Sequence, residues 1–193
     1  MRFYDREKET AELLRIRQLT MTDSSRMTLV TGRRRIGKTT LIQRAYADAA
    51  MVYLYVKRRN EKELVQSFCE AIRSQIDIFI PNGIAQFTDL LRLLLEYSKQ
   101  HPFTLVLDEF QEFVHVNTDI FQDMQELWDT YHTQTHLNLI RRGYLPARKK
   151  KHPANPMTCR VRDVIIFLLI LYSLNLSRTL ASGAFSCSSS VFS

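Results

Sequence analysis

Acidic residues all but vanish from the last third of this chain. Residues 131–193 carry nine Lys+Arg and a single acidic residue, a net of +8, whereas residues 1–130 carry 18 Lys+Arg against 19 Asp+Glu, a net of −1. The overall charge of +7 and the pI near 9.5 therefore belong to the tail. The body has no basic footprint for nucleic acid. Cysteine is scarce: Cys69, Cys159 and Cys187 are too scattered for a C-x-x-C metal or redox motif. Cys69 falls on the apolar side of a helical pattern and reads as a buried side chain. The opening Met1-Arg2-Phe3-Tyr4-Asp5-Arg6 lacks the apolar stretch of a signal peptide, so a cytoplasmic location is expected. The apolar run from Val164 to Tyr172 is nine residues long, well short of the ~20 that span hydrocarbon, and no membrane role is expected. Internal repeats and heptads are absent. A length of 193 residues suits one domain with a real core.

Glycine is also sparse, with five in the chain, yet two lie five positions apart in Thr31-Gly32-Arg33-Arg34-Arg35-Ile36-Gly37-Lys38-Thr39-Thr40. This run fits G-x-x-x-x-G-K-[ST] at every fixed position. The glycines allow backbone N–H groups to curl around a polyphosphate, Lys38 reaches the β- and γ-phosphates, and the Thr39 hydroxyl suits Mg²⁺. Context matters more than the pattern. Met27-Thr28-Leu29-Val30 before it reads as a buried strand. Leu41, Ile42, Ala45 and Ala47 through Ala50 after it read as a helix whose N-terminus faces the phosphates. The residues expected to hold nucleotide are therefore Gly32, Arg33, Arg34, Arg35, Ile36, Gly37, Lys38, Thr39 and Thr40. For the three arginines, phosphate, a neighbouring subunit and plain solvent are all compatible with the pattern.

A second element completes the chemistry. Phe103-Thr104-Leu105-Val106-Leu107 is an apolar run ending in Asp108-Glu109, about 70 residues beyond the loop. An Asp at the carboxyl end of a buried strand suits Mg²⁺ binding beside Thr39. A Glu directly after it is placed to orient or deprotonate the water that attacks a γ-phosphate. Glu109 and Lys38 are thus the candidate catalytic residues, and Thr39 and Asp108 the candidate metal ligands.

With Phe3-Tyr4-Asp5-Arg6-Glu7-Lys8-Glu9 ahead of the loop and Leu107-Asp108-Glu109-Phe110-Gln111-Glu112-Phe113 after it, the chain resembles the prokaryotic AAA-type ATPases called the archaeal ATPase family, allied to the STAND branch. Members share F-x-x-R-E-x-E, G-R-R-R-[IV]-G-K-T and D-E-F-Q. The resemblance runs from about Arg2 to about Ile140. It implies ATP and Mg²⁺ as ligands, hydrolysis as the ancestral chemistry, adenine near Phe3 and Arg6, and possible self-association through the ATPase domain. It also implies an α/β fold of the P-loop NTPase type, an open parallel sheet flanked by helices.

The intervening residues agree. Arg6 to Gln18 reads as a helix with Ala11, Leu14 and Gln18 near one face, widened by Leu13 and Ile16. Met51 to Val56 reads as a buried strand. Asn60 and Glu63 resemble a capping box opening a helix through Leu64, Val65, Phe68, Ile72 and Ile76. Pro81-Asn82-Gly83 marks a turn, and helices are expected over 89–100 and 119–131. Leu137 to Ile140 reads as a further strand. His132 and His136 are four apart but straddle that strand's start, so a solvated helix end is expected rather than a metal site.

After Ile140 the family pattern stops. Where members continue into small polar residues that sense the γ-phosphate, this chain has Arg141-Arg142-Gly143, then Arg148-Lys149-Lys150-Lys151-His152, then eight serines within 173–193. The expected organisation is an incomplete ATP-binding domain over 1–140. Residues 141–193 then form an irregular basic and serine-rich tail that is not a folded domain, the product of a reading-frame shift or a misplaced gene end. Two alternatives treat the tail as functional: a basic arm contacting nucleic-acid phosphates, or a membrane anchor. The competing function is a non-catalytic nucleotide-binding or interaction fragment lacking the sensor and arginine-finger region.

Overall fold

The computed structural model describes residues 6–32 and 35–143, together with the backbone of 158–161 and 164–169. Helix α1 (Glu7–Thr22) leads into β1 (Arg26–Gly32), followed by α2 (Lys38–Ala45), β2 (Met51–Tyr55), α3 (Glu61–Arg73) and α4 (Phe87–Ser98). Next come β3 (Phe103–Asp108), a 3₁₀ turn (Phe110–His115), α5 (Ile120–Tyr131) and β4 (Leu137–Gly143). Strands β2, β3, β4 and β1 lie side by side in that order, all parallel. β6 (Val164–Leu169) pairs antiparallel with β1, and β5 (Thr158–Val161) pairs antiparallel with β6.

Parallel strands need crossover helices, and these cover both faces, which is why β3 is buried along its whole length. On one face α3, α4 and α5 pack Phe68, Phe87, Leu91, Trp128 and their neighbours against Leu105, Leu107 and Leu139. On the other, α1 and α2 pack Leu13, Ile16, Leu41 and Ile42 against Val30, Val106 and Ile140. Alternation along β3 and β4 therefore sends odd-numbered residues to the first core and even-numbered ones to the second. Full burial of each large side chain contributes about 1.5–3 kcal/mol.

Several expectations need correction. The buried face of α1 is Glu9, Leu13, Ile16 and Thr20, while Leu14 is 43 % exposed and Ala11 and Gln18 face outward. A charged Glu9 and a polar Thr20 hid the true i, i+4, i+7 stripe. Helix α2 stops at Ala45, and Ala47 to Ala50 lie outside it. The stop comes where the buried Tyr46 donates its hydroxyl proton to the Leu13 carbonyl at 3.0 Å, pinning the helix end to α1. Asn60 does cap α3, but through the Lys62 N–H at 2.9 Å rather than the Glu63 N–H of a capping box. Helix α3 ends at Arg73, short of Ile76. His132 and His136 are partly buried rather than solvated, their Nδ1 atoms meeting the carbonyls of Trp128 at 3.0 Å and Thr20 at 2.9 Å.

The phosphate-loop site at the carboxyl edge of the sheet

Strand β1 delivers the chain to the loop at the edge where ligands of open α/β sheets bind. Gly37 holds φ +84° as the N-cap of α2, a left-handed conformation that favours glycine, and Arg35 also has positive φ at 62°. Lys38, the first residue of α2, is only 5 % exposed. It turns back under the loop so that Nζ donates to the Gly32 carbonyl at 2.9 Å. Thr39 is half-buried and Thr40 exposed. Arg6 ties α1 to the loop: Nη2 donates to the Ile36 carbonyl at 3.2 Å, and Nη1 to Glu9 Oε1 at 3.3 Å. Arg33, Arg34 and Phe3, expected at phosphate and adenine, lie outside the described residues, as do the basic cluster at 148–152 and the serine-rich segment.

At the end of β3, Asp108 is almost wholly buried. Its Oδ1 accepts the Glu109 N–H at 2.7 Å, and its Oδ2 accepts from the Tyr53 hydroxyl and from Arg142 Nη1. The Thr39 hydroxyl acts on the same Tyr53 phenol, opposing the rise in its pKa. Thr39 and Asp108, some 70 residues apart in sequence, thus both act on one tyrosine phenol. Glu109 sits at φ 52°, and its Oε2 accepts from Gln111 Nε2. Arg35 and Glu109 are the two non-glycine residues with positive φ among the described residues, and both are at this edge. Strained backbone of this kind persists where the surroundings impose it, often at functional sites.

The electrostatics tie the parts together. Lys38 is held below its ordinary value, first by burial and next by the positive charge of Arg142, opposed by Glu109 and Asp108. Burial, then the hydrogen bond to Asp108, pushes the Tyr53 phenol up to about 12. A threonine hydroxyl and an aspartate carboxylate brought together are hard oxygen donors of the kind Mg²⁺ prefers, so these residues fit that ion. Of the positions expected from sequence, Gly32, Gly37, Lys38, Thr39, Asp108 and Glu109 converge on one edge.

Tyr53 and Arg142 were not anticipated, and Gln111, the last residue of the D-E-F-Q motif, had been given no role of its own. For Arg142 a signal existed: it has the even parity of Val106 and Asp108, which points it to their face once β4 is known to reach Gly143. Odd-numbered Arg141 goes to the opposite core, 4.8 Å from the Phe110 ring, where burial lowers it to about 10.

Comparison with known proteins agrees with this architecture. No curated protein matches the sequence. Among solved structures, the chain is similar to Cdc6p from Pyrobaculum aerophilum, with 20% identity and a TM-score of 0.51 over 75% of this chain and 40% of that one. It is also similar to a Walker-type ATPase of Pyrococcus abyssi, with 18% identity and a TM-score of 0.54 over 73% of this chain and 45% of that one. These likenesses concern the fold, and the chain spans less than half the length of either protein. Among the described residues no helix is long and apolar enough to cross a membrane. Residues 3–141 match the family described as an ATPase domain predominantly from Archaea, and the chain belongs to that family.

Proposed function

We propose that this chain binds ATP at the Gly32–Thr40 loop and that its hydrolysis, where it occurs, depends on Glu109. The observation that carries the reading is the buried Lys38, folded beneath the loop within the field of Asp108 and Glu109. The loop amides and Lys38 bind the phosphates, and the positive end of α2 favours their charge. Thr39 and Asp108 would hold Mg²⁺, which would supply neutralisation of the charge developing on the phosphate oxygens. Glu109 orients the attacking water and takes its proton at a carboxylate oxygen, which requires that oxygen to exchange Gln111 for water. Arg6, through Ile36, holds the loop against α1. Self-association through this domain belongs to the same proposal.

Single-turnover hydrolysis with excess protein tests it. The wild type is expected to exceed Glu109→Gln by roughly 10²–10⁴-fold, the usual worth of a general base. Equal rates at background level would remove the hydrolytic half of the proposal. The second reading, binding without turnover, is favoured by Arg142, which pairs with Asp108 beyond the end of the family match at residue 141.

A further inference from the structure

Arg142 earns no role from the family match, which stops one residue before it. Strand β4 lies between β3 and β1, and Arg142 pairs with Val30 on the strand that enters the loop. On the other side, it falls one step beyond the Leu107–Arg141 pair, level with Asp108. Its guanidinium reaches Asp108 Oδ2, with side chains of the two residues 16% and 5% exposed. A pair so shielded from water is strongly coupled, because removing either charge leaves the other uncompensated. The Arg142 Nε is buried with no hydrogen-bond partner among the described residues. That donor would be satisfied by an anionic oxygen such as a phosphate's. The positive charge that, after burial, lowers Lys38 is this same guanidinium.

A guanidinium and a divalent cation compete for one carboxylate. We propose that Arg142 is the resident counter-ion of Asp108, offsetting its repulsion of the polyphosphate, so that this chain takes up ATP with little dependence on Mg²⁺. The cation gains Asp108 only by displacing the guanidinium, which then turns its donors to phosphate. The proposal rests on nucleotide binding at the loop. It makes Arg142 a positioning and charge-balancing residue, not one that transfers a proton.

The test is calorimetric titration of the full chain with ATP, once with excess Mg²⁺ and once with EDTA. Wild type, Arg142→Gln and Arg142→Lys are compared. Wild-type affinities in the two media are expected to agree within about threefold. In Arg142→Gln, affinity falls in EDTA and recovers with Mg²⁺, widening the ratio by at least about fivefold, the lower end of common coupling between sites. Arg142→Lys keeps the charge and stays near wild type. A wild-type ratio above about tenfold overturns the inference, whatever the variants do, as does an unchanged ratio in a folded Arg142→Gln. Binding in neither medium by the wild type would instead overturn nucleotide binding itself, and this inference with it.

Discussion

Tyr53 is a single side chain that registers the state of the whole site. Its phenol has an ordinary value of 10.0 and is raised to about 12 by burial and by donation to Asp108. Because the folded value lies above the unfolded one, the neutral phenol favours the fold. That contribution is intact below pH 10 and is lost as pH rises through about 12. Alkaline unfolding should therefore show a component over that window in the wild type that disappears in Tyr53→Phe. An identical pH profile in the two proteins would mean that the phenol is not held as described. Lys38, Thr39, Asp108 and Glu109 were legible in the sequence because loop geometry and phosphate chemistry fix their spacing along the chain. Tyr53 and Arg142 were not, because they join the site through strand register and side-chain parity, which depend on partners far away in sequence.

At the scale of elements, the site depends on how β1 turns into α2. Gly37 takes its left-handed φ at the N-cap, where a Cβ would cost about 1–2 kcal/mol. Gly37→Ala is expected to lower the unfolding midpoint and to weaken ATP binding by about tenfold or more. A variant with wild-type midpoint and affinity would show that this backbone turn does not matter. The strands were readable as apolar runs flanked by turn residues: Phe103–Asp108 is buried on both faces, whereas Met51–Tyr55, expected as a buried strand, lies at the sheet edge with one face partly open and Tyr55 50% exposed. Helix faces were less readable. In α1 a buried Glu9, bound by Arg6, takes a core-facing position that periodicity alone assigns to apolar residues. In α2 the end is set by the Tyr46 hydroxyl reaching Leu13, a tertiary contact that carries no local signal.

For the whole molecule, sheet order explains why one edge carries the chemistry. With β4 between β3 and β1, the Asp108 strand and the loop strand are two positions apart, leaving a gap above β4 in which Tyr53, Lys38, Asp108 and Arg142 meet. Alternation of strands and helices made the parallel sheet legible from sequence. The antiparallel addition of Val164–Leu169 beside β1 was not, since a short apolar run has no intrinsic direction or partner. The excess positive charge of 131–193 bears on partners of the chain rather than on its fold. The central claim is that the Gly32–Thr40 loop is a nucleotide site, and calorimetric titration of ATP into wild type and Lys38→Ala tests it most directly. The account predicts saturable binding to the wild type and none to a folded Lys38→Ala at the same concentrations; equal affinity in the two would contradict it.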